Sequence, residues 1–479
     1  MAFNPFQEKG IPLEQQVHSW TSLDVEPYDK NAVDPYTRCR VILMNGIEVE
    51  AAIFKHEFSR MCPDMELKKS IAFTRRLEQQ QQKIINWLIP ADESAIENTI
   101  GYEQLAVDLT AGLAKLLSNT YSKQVFDFGL LEDFDHLYRY ANLLDLIQGK
   151  DANDIVQGQT EITLGRPTIA EHRHPFDSIR NFSDMKTSQP LDLLCILTLV
   201  SAEQQTMNFY MNTGNRASDA TARGLYQEIG MVEEQHVSQY ENLMDPRASW
   251  FEMLVLHEYN ECWLYHSLME QEVDSKIRKI WEMCLSMELQ HLRIASECLQ
   301  KYENKDARDM CPQMLPDPIV LRSNIDYVRN ILATQVKLTA DGPNIVPVDQ
   351  LPGDSRYSWY QRTVNDAFVP SQNIIQRRIN DRGEDYRLEL SGPHPVESFR
   401  DRKRVAMSET CILEGMEVAD HQGKSIGQIK EMYFNEFLLN RRLKADLYVP
   451  LNAIEKVAKE IQLKINEEEI ENMGWRKSA

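Results

Sequence analysis

Six residues limit what this chain can fold into more than any others do. Glu203, Glu233, His236, Glu258, Glu288 and His291 form the order Glu, Glu-x-x-His, Glu, Glu-x-x-His. A Glu and a His three residues apart share one face of a helix, so both reach the same point in space. Two such helices, with two more each giving one Glu, supply four carboxylates and two imidazoles, the ligand set of a carboxylate-bridged di-metal centre. Hard oxygens combined with imidazole nitrogens suit iron or manganese and leave positions open for oxygen or peroxide.

A single Glu-x-x-His is weak evidence. With 73 acids in 479 residues, the 11 histidines should find an acid three places earlier about 1.7 times by chance, and four do. Spacing carries more weight. Glu203, Glu233, Glu258 and Glu288 are separated by 30, 25 and 30 residues, and Glu48, Glu78, Glu103 and Asp133 repeat those separations without a gap. The same shift carries Gln81 onto His236 and His136 onto His291, and a further echo pairs HLYRYANLLD from His136 with HVSQYENLMD from His236. The expected fold class is therefore mostly α, two tandem four-helix units followed by a small C-terminal β-barrel. Glu171-x-x-His174 has the spacing but lies between Pro167 and Pro175, where a helix is not expected, so it is set aside.

Apolar residues share the helix face of each of the four acids, as Leu199, Met207 and Tyr210 do for Glu203. Carboxylates inside an apolar stripe cost several kcal/mol each unless neutralised, and a pair of divalent cations would do that. Tyr210, Tyr240 and Tyr265 are candidates to donate hydrogen bonds to the ligands or to relay charge, although core aromatics with a satisfied hydroxyl are commoner.

The stretch from Glu203 resembles the ferritin-like superfamily of di-iron and di-manganese proteins, including rubrerythrins. That resemblance implies an oxidoreductase holding two Fe or Mn ions. It makes His236 and His291 terminal ligands on separate metals, Glu233 and Glu288 bridges, and Glu203 and Glu258 terminal carboxylates. It further implies oxygen or peroxide as co-substrate and a small-molecule substrate. No Cys-rich centre is present, so electrons must come from that substrate or an external donor. An iron-handling ferroxidase and an assembly protein with a structural metal are the alternatives.

Two arrangements of the ligands remain open. The DPRAS turn between Glu233 and Glu258 is too short to run the ~30 Å of a 20-residue helix. Hairpins either close within each unit, giving one complete site in the second, or pair between units through the long 149–190 connection. The second arrangement would bring Glu103, Asp133 and His136 to Glu203, Glu233 and His236, and leave Glu48, Glu78 and Gln81 with Glu258, Glu288 and His291. The first arrangement is the expectation. Gln81 is a poor ligand and Lys55, two turns past Glu48, offers an ion pair in place of metal charge, so the first unit reads as a polar core without metal.

The expected segments are 1–150, an N-terminal arm to about 40 and the first unit; 151–305, the connection and second unit; 306–410, a helical and loop-rich cover; and 411–479, where short alternating runs with Gly turns begin. That last part resembles PRC-barrel-like families through Glu414-Gly415-Met416, Gly423, Ile426-Gly427 and Tyr448-Val449-Pro450, which implies an interaction or packing module. The net charge of -21 argues against nucleic acid and anionic membrane. Eight scattered cysteines without a C-x-x-C pair, and no long uncharged apolar stretch, are the expectation for a cytoplasmic chain with reduced thiols. A homo-oligomer is compatible with all of this.

Overall fold

In the computed structural model the described residues are 3–162, 171–382, 415–432, 436–441, 444–450, 453–457, 460–470 and 473–477. Gly165, Pro167, Cys411, Glu414 and the end of the 306–410 segment therefore lie outside the described residues. The chain divides into two compact units, Met1–Gln271 with Lys279–Val396, and Glu272–Arg278 with Glu397–Ala479.

Four long helices open the first unit: α1 (Pro35–Met61), α2 (Met65–Trp87), α3 (Ala95–Leu116) and α4 (Thr120–Gln148). The arm ends earlier than expected. Asp34 accepts from the amides of Tyr36 and Thr37 and Pro35 takes the first helical position, a start signal that lies inside the expected arm. Ser94 caps α3 in a reciprocal capping box with Glu97. After a short α5 (Asn153–Val156) come α6 (Pro190–Thr213), α7 (Ala220–Glu241), α8 (Trp250–Gln271) and α9 (Ser275–Glu303). Then follow α10 (Ile325–Gln335), the hairpin β1 (Leu338–Asp341) and β2 (Asn344–Pro347), which the sequence pattern did not announce, and α11 (Arg356–Val364) and α12 (Pro370–Arg382).

Neighbouring helices form the hairpins α1–α2, α3–α4 and α6–α7, and α6 lies against α1 and α3 while α4 meets α7. From Val125 to Leu144 every residue of α4 is buried, which makes it a central helix covered on all sides. One apolar cluster ties this region together through Val107 of α3, Leu130 and Leu137 of α4, Leu225 and Ile229 of α7, Leu332 of α10 and Ile374 of α12. The 149–190 connection is what lets α6–α7 return to α3–α4. Grouping the helices strictly in chain order, four and then four, is not how they pack.

In the second unit, β3 (Glu417–Ala419), β4 (Ser425–Met432), β5 (Glu436–Asn440), β6 (Leu447–Pro450), β7 (Ile454–Val457) and β8 (Ile461–Leu463) form a curled sheet, followed by α13 (Glu467–Ile470). Strand order is β6-β5-β4-β3-β8-β7, antiparallel except for β3 beside β8. Register shifts in three of the pairings bend the ladder. Val418, Ile429, Phe437, Val449, Ile461 and Leu463 fill its core. The sheet is open rather than a closed barrel, since among the described residues β6 and β7 end the strand order and do not pair with each other. Residues past α13 cover the β6 edge, where the amide of Tyr448 donates to Arg476.

Candidate metal centre

Helices α3, α4, α6 and α7 each aim acids at one point. Glu103 comes from α3, Asp133 and His136 from α4, Glu203 from α6, and Glu233 and His236 from α7, all no more than 1% exposed. Nδ1 of His136 lies 2.8 Å from Glu233 Oε1, and Nδ1 of His236 lies 3.2 Å from Glu233 Oε2. Glu233 thus spans the two imidazoles. His236 Nδ1 is also 3.4 Å from Asp133 Oδ1 and 3.6 Å from Glu203 Oε2. Ligand atoms fall into two adjacent groups, Glu103, His136 and Glu233 on one side and Asp133, Glu203 and His236 on the other, each gathered within 4.8 Å.

The outer imidazole nitrogens meet carboxylates too. Nε2 of His136 is 3.2 Å from Glu171 Oε2, and Arg139 donates to both oxygens of Glu171 at 2.9 and 2.8 Å. Nε2 of His236 is 2.8 Å from Glu132 Oε2, and Arg173 donates to both oxygens of Glu132. A carboxylate on the far nitrogen fixes the ring so that Nδ1 points inward, the arrangement that orients metal-ligating histidines. Sequence reasoning missed both carboxylates. Glu171 is off any helix, as expected, but the connection delivers it to His136. Glu132 stands next to Asp133, and the sequence reading passed over it.

Seven buried atoms converge here without a hydrogen-bond partner: Glu103 Oε2, Asp133 Oδ1, both oxygens of Glu203, Glu233 Oε2 and the Nδ1 atoms of His136 and His236. Tyr210 donates to Glu103, and Thr110 donates to Asp133 Oδ2 at 3.0 Å. Burial pushes Glu103 and Glu203 well above the usual carboxylate range and Asp133 up to about 7. For Glu233 burial is outweighed by His136 and His236, which hold it low. Both imidazoles are raised despite burial, His136 chiefly by Glu233 and His236 chiefly by Glu132. Left alone, the cluster must keep protons to limit its own repulsion. Four hard carboxylates and two inward imidazole nitrogens fit a pair of divalent cations, which would satisfy the seven atoms together.

A second cluster lies between α1, α2, α8 and α9, where Glu48, Glu78, Gln81, Glu258, Glu288 and His291 meet. Lys55 stands inside it, paired with Glu78 and 2.6 Å from Glu258 Oε1. Gln81 donates to Glu288 Oε1 at 2.5 Å, and Tyr265 donates to Glu48. His291 places Nδ1 2.9 Å from Glu288 and Nε2 2.9 Å from the amide oxygen of Gln16. The buried Glu261, which the sequence reading passed over, adds a further acid.

The expected single site in the second half of the chain is therefore corrected. Glu203, Glu233 and His236 do not meet Glu258, Glu288 and His291; each trio completes its cluster with residues from the first half. The cause is connection length, because the order hairpin, long connection, hairpin is available to α3–α4 and α6–α7 through 149–190, whereas the turn between α7 and α8 spans only 242–249. The tyrosines divide accordingly. Tyr210 serves the first cluster and Tyr265 the second, while the Tyr240 hydroxyl has no hydrogen-bond partner and packs against Gly129. No protein family, curated protein or solved structure matches the chain.

Proposed function

We propose that the Glu103–His236 cluster binds two iron or manganese ions and that the protein is a di-metal carboxylate oxidoreductase of ferritin-like type. One observation supports this above the rest: both imidazoles turn Nδ1 into a buried group of carboxylate oxygens that lack hydrogen bonds, while arginine-held carboxylates fix their Nε2 atoms. Glu103, His136 and Glu233 would hold one ion, and Asp133, Glu203 and His236 the other. When bound, such a metal pair supplies redox chemistry on oxygen or peroxide.

The chain's own residues provide shelter and orientation. Burial of all six ligands excludes bulk water, and Tyr210 orients Glu103 by its hydroxyl. Tyr210 also lies on the wall of a pocket of about 190 Å³, shared with Met211, Gly214, Asn215, Arg223, Tyr226 and Gln227. A small substrate or electron donor would approach there. The open sheet of the second unit carries none of the candidate ligands, and we read it as a packing or interaction module.

Metal analysis of the purified chain, with an anaerobic reduction followed by an oxygen-exposure spectrum, tests the reading. About two equivalents of iron or manganese and a spectrum that changes on exposure are expected. Absence of both metals after anaerobic loading would overturn it, and continued mineral formation beyond site occupancy would assign iron handling instead.

A further inference from the structure

The two clusters are built on one plan, and the places where they differ all point the same way. In each of the four hairpins, the residue seven positions after the first acid is Lys55, Thr110, Tyr210 or Tyr265. Tyr210 reaches from α6 to Glu103 of α3, and Tyr265 reaches from α8 to Glu48 of α1. The return contacts diverge. Thr110 is short and donates to Asp133 of its own hairpin, which leaves both oxygens of Glu203 without partners. Lys55 is long and reaches Glu258, the counterpart of Glu203, and Glu78 as well.

We propose that the Lys55 ammonium stands where a metal cation would otherwise sit, so that the second cluster takes no metal and the chain carries one metal pair rather than two. This rests on the di-metal reading of the first cluster for its comparison, not for its argument. An ammonium in contact with two of the acids occupies the space between them and repels an incoming divalent ion. At a separation of about 3 Å that repulsion is many times the thermal energy at any dielectric constant suited to a buried site. Glu48 Oε2, both oxygens of Glu78, Glu258 Oε2 and both oxygens of Glu261 also lack hydrogen bonds, and of these Glu78 Oε1 is paired with this ammonium.

Two further replacements act in the same sense. Gln81 stands where the first cluster has a histidine, and it offers Glu288 an amide donor instead of giving a metal a ligand nitrogen. The far nitrogen of His291 meets the neutral amide of Gln16 on the N-terminal arm, where His136 and His236 meet carboxylates held by arginine. That arm is fixed along α9, with the amide of Ile11 donating to Ser286 at 2.8 Å and Gly10 so close to the Gln290 backbone that a Cβ would not fit. Burial also keeps Glu48, Glu258 and Glu261 above their ordinary range, so protons supply the remaining compensation.

The test counts metal. The full chain is loaded anaerobically with excess Mn(II), freed of unbound ion by gel filtration and assayed by mass spectrometry for manganese. Wild type should retain about two equivalents and Glu258→Gln the same number. Lys55→Thr combined with Gln81→His copies Thr110 and His136 into the second cluster and should raise retention to about four. In a Glu233→Ala background, the same double substitution should raise it from near zero to about two, which reads the inference even where the first cluster proves not to bind. The proposal is overturned if Glu258→Gln lowers the wild-type count, or if the double variant, folded by circular dichroism, gains no manganese in either background.

Discussion

The imidazole rings of His136 and His236 lie 5.7 Å apart and are inclined by 27°, each turning Nδ1 toward the same carboxylate, Glu233. Removing the shared anion leaves two ligand groups with nothing between them. Glu233→Ala should abolish binding of the metal pair in elemental analysis. Glu171→Gln should keep the pair but weaken its affinity by roughly 10- to 100-fold, the usual effect of losing the acid that orients a ligating histidine. Full metal retention in Glu233→Ala would show the assignment to be wrong.

Metal uptake should release protons. Without metal, Asp133 is pushed from 3.8 up to about 7, and His136 and His236 are also raised. Groups raised in the folded state contribute stability that is complete below their unfolded values and is lost as pH rises through the folded ones. The melting temperature of metal-free protein should therefore fall as pH climbs through about 7. Metal-loaded protein should not show that fall, and its affinity for Mn(II) should increase over the same interval. Equal pH profiles for the two forms would contradict this.

Tyr210 joins the surface pocket to Glu103. Tyr210→Phe should leave the metal content at wild-type level, because Glu103 keeps its carboxylate, and should change the rate at which reduced metal reacts with oxygen in stopped-flow absorption. Tyr226→Phe removes only a hydroxyl that meets Thr99 at 2.7 Å and should leave that rate unaltered.

Gly129 is required by its neighbour. A Cβ there would collide with the Tyr240 hydroxyl, which no hydrogen bond anchors. Gly129→Ala should destabilise the protein by roughly 1–3 kcal/mol, the usual penalty of overpacking. Adding Tyr240→Phe removes the colliding oxygen and should return much of that loss in chemical denaturation. Additive effects of the two substitutions would show that the contact does not exist.

How much the sequence disclosed depended on the range of the interaction. The candidate ligands announced themselves because a helix places residues three apart on one face, a rule that needs no knowledge of neighbours. The eight long helices were legible as two sets of four, through the repeated spacing of their acids. Which hairpin meets which was not legible from periodicity, since Glu233 has the same local pattern whether its partner is Glu103 or Glu258. The length of 149–190 is the physical clue, because only a long connection lets α6–α7 return to α3–α4. Glu171 stood out only for its spacing from His174, and its place beside His136, like that of Arg173 beside Glu132, was not legible because both act from an irregular segment, where no period exists to mark a buried side. Lys55 was legible as an oddity in the repeat, although only the geometry shows it reaching across to Glu258.

The hairpins are nested, with α3–α4 meeting α6–α7 inside the span that joins α1 to α9. Tyr210 finds Glu103 across 107 residues of chain, whereas Tyr265 finds Glu48 across 217. During synthesis the inner cluster can close while α8 and α9 are still being made, but the outer one must wait with α1 and α2 uncovered. Longer loops are slower to close, so the lysine-containing cluster should be the later of the two to assemble, and a chain truncated between α7 and α8 would hold every residue of its inner cluster but lack Glu258, Glu288 and His291 of the outer one.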